Sequence, residues 1–258
     1  MVWNYVEDGS GRPLILLHGL GMSHAVWRPV MPFLKKERRV IAFDTAGFGS
    51  TPSLEEGILP TVANLVSALE VSLRALGIDM PVDLAGNSLG GLMALETAKR
   101  GLARSVVAIS PPGLWKEHES GYVKALFFGM RWGARRFPRV LRSAMKVSVL
   151  REALLAVPIS LGSSRMPAEE AIGALDDLAS APGFESTFYN TLPFRDGHGI
   201  SAPVTVAFGT RDWILPWFSQ RRDQLPAHTR WVRPKKWGHV PMWVDPAGVA
   251  RLILDGTG

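Results

Sequence analysis

Residues 82–95 of the chain read Val-Asp-Leu-Ala-Gly-Asn-Ser-Leu-Gly-Gly-Leu-Met-Ala-Leu. The run opens as a strand buried on both faces, continues as Gly86-x-Ser88-x-Gly90, and then takes the pattern of a helix. A serine on such a sharp turn projects its hydroxyl away from the sheet, and the glycines let neighbouring backbone approach. The free N–H groups of the following helix point at any oxyanion formed there. This segment therefore predicts that Ser88 is a nucleophile.

The rest of the chain alternates short apolar runs with helical patterns. The runs that predict buried strands cover residues 14–17, 40–43, 82–85, 106–109 and 204–208, with a weaker one at 231–233. Leucines at helical spacing predict a helix between a Thr61 N-cap and a Gly77 stop. Such alternation predicts an α/β fold with a mostly parallel, doubly wound sheet. Trp3–Val6 resembles the first arm of a hairpin that turns into Leu14.

Residues 113–200 break this rhythm, because prolines interrupt several short amphipathic patterns. We expect an α/β core in residues 1–112 and 201–258, with residues 113–200 inserted between two strands as a helical cap. Aromatic residues of this insertion could line an acyl pocket, or could simply pack the cap onto the core. The candidates for the pocket are Phe127, Phe128 and Trp132.

A serine hydroxyl needs an adjacent base that a third group orients. His239 lies in a loop after the last candidate strand, and Asp212 follows the end of another strand. Sites assemble where the carboxyl ends of parallel strands meet, so Ser88, Asp212 and His239 form the predicted catalytic set.

Two main-chain N–H groups are candidates to bind an oxyanion, one from Leu20 and one from Leu89. The first lies in His18-Gly-Leu-Gly after a buried strand, and the second directly follows the nucleophile. We predict that His18 fixes its loop as a structural residue.

These motifs resemble those of the α/β-hydrolases of the Ser-Asp-His type. The resemblance rests on His18-Gly-Leu-Gly, Asp44-Thr-Ala-Gly-Phe-Gly, Gly86-Asn-Ser-Leu-Gly-Gly, Gly209-Thr-Arg-Asp212 and Gly238-His239. It implies a cap inserted after the sixth strand and a structural role for Asp44. It requires neither a metal ion nor an organic cofactor.

We expect a carboxylic ester hydrolase that works through an acyl-enzyme on a small-molecule substrate. The alternative is a carbon–carbon hydrolase of ring-cleavage products (vinylogous diketones), since those enzymes share the Gly-Asn-Ser-x-Gly-Gly form. Haloalkane dehalogenases and epoxide hydrolases of this fold carry aspartate at the position of Ser88, which disfavours both. A low-turnover ligand-binding or receptor protein on the same fold is a further alternative.

Composition narrows the remaining classes. The 258 residues are 47% apolar, contain no cysteine and carry a net charge of +6. Nine Lys and Arg against two Glu fall between Lys116 and Arg151, so the excess belongs to one segment, which we expect to be a solvated basic face. A site for an anionic substrate group or for a membrane surface is the alternative. We therefore expect no nucleic-acid partner. With neither a secretion signal nor a membrane-spanning run, we expect a cytoplasmic protein; the oligomeric state stays open.

Overall fold

One seven-stranded sheet forms the centre of the protein. The structure is a computed structural model that describes residues 2–115, 121–216, 218 and 220–258. The strands are β1 (Tyr5–Asp8), β2 (Pro13–Leu17), β3 (Arg39–Phe43), β4 (Val82–Asn87), β5 (Ala103–Ile109), β6 (Val204–Ala207) and β7 (Arg230–Val232). Their order is β1-β3-β2-β4-β5-β6-β7, and every pairing except that of β1 is parallel. The predicted α/β class and parallel sheet are confirmed.

Helices cover both faces of this sheet. They are α1 (Met31–Leu34), α2 (Val62–Ala75), α3 (Leu89–Lys99), α4 (Gly121–Arg136), α5 (Pro138–Lys146), α6 (Ser148–Leu155), α7 (Ala168–Ser180), α8 (Phe184–Tyr189) and α9 (Pro246–Thr257). The predicted ends of α2 are confirmed, because the Thr61 hydroxyl accepts from the N–H of Asn64 and Gly77 has a φ of 66°. Among the described residues, no helix has the length and apolar character needed to cross a bilayer.

The predicted N-terminal hairpin is wrong. β1 pairs antiparallel with β3, with Tyr5 opposite Phe43, while β2 lies on the other side of β3. Side-chain packing favours this arrangement, since the rings of Trp3 and Tyr5 lie 6.2 and 5.6 Å from the ring of Phe43. The edge strand thus stacks aromatic surface on β3 before the chain crosses to β2.

Five helices, α4 to α8, lie between β5 and β6. The resemblance implied an insertion after the sixth strand, whereas only five strands precede these helices in the described chain. In the described chain only one strand, β1, precedes β2, and the insertion therefore follows the fifth strand. We call α4–α8 and their connections the helical insertion.

The basic residues of the insertion do not form a uniformly solvated face. Arg131 and Arg151 are buried, and Arg131 donates hydrogen bonds to the carbonyls of Leu178 and Ala181 at the end of α7. Burial lowers the pKa of Arg131. Guanidinium groups here satisfy helix carbonyls that have no intrahelical partner. The prediction of a solvated basic face is therefore wrong for these two residues, and Lys116 lies outside the described residues.

A buried ionic cluster connects the centre of the sheet to two chain segments beside it. The carboxylate of Asp83 on β4 accepts from Arg38 Nη1 at 3.0 Å, from Arg12 Nε at 2.7 Å and from the hydroxyl of Ser105 at 2.8 Å. Arg38 also donates to the carbonyl of Thr257 at 2.5 Å. Every charge in this cluster has a partner, which a buried charge requires.

Replacing Asp83 with alanine should lower the free energy of unfolding by about 3–5 kcal/mol, because the substitution leaves the Arg38 charge buried without its partner. Urea denaturation followed by circular dichroism measures the loss. The control is Glu70→Ala, which removes an exposed ion pair with Arg74 on α2 and should cost about 0.5 kcal/mol or less. Equal losses in the two variants would contradict this account.

Candidate active site

Ser88 occupies the turn between β4 and α3 in a strained conformation. Its φ is 51° and its ψ is −120°, a backbone region that residues other than glycine rarely adopt. The turn is possible because Gly86 and Gly90 have no side chains: a Cβ on Gly86 would lie 2.1 Å from the carbonyl oxygen of Gly90, and one on Gly90 would lie 2.2 Å from that of Leu17. The fold therefore holds the serine where a sheet ends and a helix begins.

His239 and Asp212 form a buried hydrogen-bonded pair. Nδ1 of His239 lies 3.0 Å from Oδ2 of Asp212, and both residues are 3% exposed. The N–H groups of Ile214 and Leu215 also donate to Oδ1 of Asp212, which fixes the carboxylate. Nε2 of His239 is buried and has no hydrogen-bond partner among the described residues. The imidazole is thus oriented by an acid on one side and available on the other.

Ser88 and His239 line two adjoining cavities. The larger has a volume of about 400 Å³ and lies beneath the helical insertion. The smaller, of about 50 Å³, lies beside the start of α3 and also borders Leu89, Trp115 and Ile214. The structure therefore brings the predicted serine and the histidine–aspartate pair to one place, between the sheet and the insertion.

The larger cavity is lined almost entirely by apolar side chains. From the insertion come Phe127, Met130, Leu141, Met145, Leu154, Leu155, Pro158, Ile159, Ala171, Ala174, Leu175 and Leu178. The core contributes Leu20, Met22 and Val240 beside Ser88, Asn87 and His239. Its size falls within the usual range for small-molecule sites. Most of these positions were not predicted, because a helical pattern alone does not tell which face turns toward the sheet.

The two residues predicted to supply the oxyanion hole lie beside the same cavities. Leu20 lines both cavities, and Leu89, the first residue of α3, lines the smaller one together with Ser88. The N–H groups of Leu20 and Leu89 stay the predicted donors to a negatively charged oxygen.

Of the three predicted pocket aromatics, Phe127 lines both cavities. The structure places the other two elsewhere. Phe128 packs against Phe188 with ring centroids 5.1 Å apart, and Trp132 is 63% exposed, with its ring near Phe137. The reason is helical geometry: successive residues of α4 turn by about 100°, which puts positions 128 and 132 on the side opposite the cavity-lining positions 130 and 133.

Asn87 is a site residue that the sequence reading missed. Its Nδ2 donates to the carbonyl oxygen of His239 at 2.9 Å, so the residue before the serine supports the histidine loop. The insertion supports the same loop, since the N–H of Val240 donates to the carbonyl of Ile159 and the N–H of Gly238 donates to the hydroxyl of Ser160. In the sequence, the only sign of this role was the polar residue at the x position of Gly-x-Ser.

His18 has the role of a structural residue, as predicted. Its Nε2 accepts from the N–H of Thr45 at 2.9 Å, so Nδ1 carries the proton and donates to the carbonyl of Gly19 at 2.7 Å. Complete burial lowers the pKa of His18, which keeps the ring neutral.

Asp44 also holds loops in place. Burial opposes the ionised form of Asp44, but donors from His24, Ser50 and Asn4 outweigh it and hold the pKa of Asp44 well below its ordinary value. This carboxylate links two loops beside the site, including the one that follows Leu20. No group of three or more His, Asp and Glu side chains in the described residues is arranged to hold a metal ion.

Comparison with known sequences finds similar proteins that are named as hydrolases and esterases. A 2-hydroxy-6-oxo-2,4-heptadienoate hydrolase of Pseudomonas putida is 45% identical over 100 residues, or 38% of this chain and 36% of the relative. A pimeloyl-[acyl-carrier protein] methyl ester esterase of Legionella pneumophila is 35% identical over 92 residues, 36% of this chain and 34% of the relative. The matched segments thus span only about a third of these two curated relatives. Epoxide hydrolase EphH of Mycobacterium tuberculosis is 28% identical over 212 residues, 74% of this chain and 92% of the relative.

Solved structures and a family model agree on the fold. The crystal structure of a bacterial membrane phospholipase A superposes with a TM-score of 0.78 at 24% identity, covering 98% of this chain and 82% of that one. A thermophilic esterase from Thermogutta terrifontis gives 0.75 at 21% identity, covering 98% and 91%. The family model described as alpha/beta hydrolase fold matches residues 12–246. The chain belongs to the α/β-hydrolase family.

Proposed function

We propose that this α/β-hydrolase is a serine esterase that cleaves uncharged carboxylic esters through an acyl-enzyme intermediate. One observation carries the proposal: the strained turn presents Ser88, beside the His239–Asp212 pair, to an apolar cavity of about 400 Å³. The proposal treats residues 1–112 and 201–258 as the catalytic core and residues 113–200 as a cap that roofs the cavity.

The reaction proceeds in two halves. The hydroxyl of Ser88 attacks the ester carbonyl while Nε2 of His239 takes its proton, and Asp212 stabilises the imidazolium. The N–H groups of Leu20 and Leu89 bind the tetrahedral oxyanion. His239 then protonates the leaving alcohol, and water hydrolyses the acyl-enzyme by the same route. Every proton transfer passes through Nε2 of His239, a buried nitrogen that has no hydrogen-bond partner among the described residues.

The two cavities suggest where the parts of an ester lie. The larger one suits an acyl chain, because burial of each methylene stabilises binding by about 0.8 kcal/mol. The smaller one, of about 50 Å³, has room for a compact alcohol group. No Lys, Arg, Asp or Glu lines either cavity among the described residues, which favours an uncharged substrate.

Carbon–carbon hydrolysis is the second candidate, and sequence similarity favours it, since the 45% identical relative is named a heptadienoate hydrolase. A dienoate carries a carboxylate, which would be costly to bury without a cationic partner. Because neither cavity offers a Lys or Arg among its described lining residues, we rank this candidate below ester hydrolysis.

The nucleophile can be tested by substitution and labelling. Ser88→Ala should lower kcat/KM on p-nitrophenyl butyrate by at least about 10⁴-fold and abolish labelling by a fluorophosphonate. Ser110→Ala is the control, because Ser110 is also buried at a strand end with a positive φ. It should keep both activity and label. A parent protein that neither turns over esters nor takes the label would instead support a binding protein.

A substrate panel tests the reaction class. We expect kcat/KM to rise from p-nitrophenyl acetate to p-nitrophenyl octanoate by about 10²–10³-fold, because the added methylenes enter the apolar cavity. A vinylogous diketone acid should be turned over far more slowly, as absorbance loss of the dienol would show. Faster cleavage of the diketone acid than of every ester would reverse the ranking.

The cavity can also be shortened at α4. Gly133 lines the larger cavity, and the nearest atom to a Cβ placed there is Leu141 Cδ1, at 3.9 Å. Gly133→Leu should lower kcat/KM for the octanoate ester by about tenfold, equivalent to excluding two methylenes, and leave the acetate ester unchanged. Gly173→Leu is the matched control, since Gly173 lies on α7 with open space at its Cβ and outside this cavity. Equal losses on both esters would contradict the assignment of the acyl site.

A further inference from the structure

The first half of the helical insertion carries an unusual excess of positive charge. Between Gly121 and Arg151 the chain has eight Lys and Arg and no Asp or Glu. Arg131 and Arg151 are buried, and Arg142 pairs with Asp176. Three basic side chains at the end of α4 and on α5 are exposed and form no ion pair with a described residue: Arg136, Arg139 and Lys146. Lys124, near the start of α4, is also exposed and lies over the ring of Tyr189.

Helices α5 and α6 and the residue between them expose large apolar side chains. Val149 is 74% exposed, Val140 66% and Leu154 41%. Val147 and Leu150 are also exposed, and positions 150 and 154 fall on one face of α6. We call these five residues, together with Arg136, Arg139 and Lys146, the α5–α6 face. The described chain offers no element that covers it.

The larger cavity opens toward this face. Its lining residues are buried or half-buried except for Leu154 on α6, which belongs to the α5–α6 face, and Gly129 on α4, which are both exposed. A substrate therefore reaches Ser88 from a surface whose rim is apolar and whose surroundings are basic. That combination determines which partner fits.

We propose that the α5–α6 face docks on an anionic lipid bilayer, with the mouth of the cavity turned toward the lipids. Basic side chains are attracted to acidic headgroups, and exposed Val and Leu side chains can enter the boundary with the acyl chains. A nucleic acid or an acidic protein would use the charge but would leave the exposed apolar side chains uncovered. A second copy of the chain would bring two positive faces together. The docking goes beyond ester hydrolysis and does not depend on it.

Vesicle sedimentation tests the docking. We expect the full chain to bind vesicles of phosphatidylcholine containing 30% phosphatidylglycerol at least tenfold more strongly than vesicles of pure phosphatidylcholine. The preference should fall as salt rises, because salt screens the exposed charges. Failure to bind either kind of vesicle would overturn the proposal.

Two double variants separate the contribution of charge to vesicle binding from that of apolar side chains entering the bilayer. Val140→Asp/Val149→Asp and Arg136→Glu/Arg139→Glu should each weaken binding to the anionic vesicles at least tenfold. The control is Val71→Asp on α2, which places the same charge on another half-exposed valine, distant in sequence from the insertion, and should bind like the parent. If the valine variant binds normally while the arginine variant does not, the attraction is electrostatic alone, and the proposal that this face enters the bilayer is wrong.

Hydrolysis of a soluble ester keeps the two proposals apart. All three variants should cleave p-nitrophenyl acetate at the parent rate, because none of the changed residues lines the Ser88 cavities. A protein that binds vesicles without cleaving esters would refute the proposed function and leave the docking intact. Circular dichroism and the retained esterase rate show whether a variant that no longer binds vesicles is still folded. The Val71→Asp control shows that an added surface aspartate does not by itself prevent binding.

Discussion

The close approach of backbone around Gly86 and Gly90 is the constraint on which the site depends. Gly90 lies so near the carbonyl of Leu17 that no Cβ fits between them, and this contact packs the start of α3 against the end of β2. The loop carrying Leu20 and the turn carrying Ser88 are therefore held side by side. The strained φ of the serine persists because the surrounding sheet and helix leave it no alternative.

Around this turn, supports come from distant parts of the chain. Asn87 holds the histidine loop from the sheet side, and the insertion holds it through Ile159 and Ser160. Asp44 and His18 fix the loops on the other side through buried hydrogen bonds. The predicted catalytic groups thus sit on loops and a turn that are anchored by hydrogen bonds from distant parts of the chain.

The sequence allowed prediction of the sheet and of the residues around Ser88, because buried parallel strands are continuous apolar runs and the turn needs glycines at fixed positions. It did not allow prediction of the pairing of β1, which depends on aromatic packing against Phe43. It also misplaced Phe128 and Trp132, since the face that a short amphipathic helix turns inward depends on its neighbours. The burial of Arg131 could not be predicted for the same reason. Its partners are main-chain carbonyls at the end of α7, which no side-chain pattern reveals.

The contacts of Ile159 and Ser160 with the loop around His239 have a mechanical consequence. The segment that holds the loop carrying His239 is also part of the wall of the large cavity, since Pro158 and Ile159 line it. A guest too bulky for that wall would push outward on the same backbone that aligns the imidazole. The size of the cavity and the position of the His239 ring are thereby linked through a few peptide groups. Under the proposed mechanism, an oversized substrate would displace the imidazole as well as fit poorly.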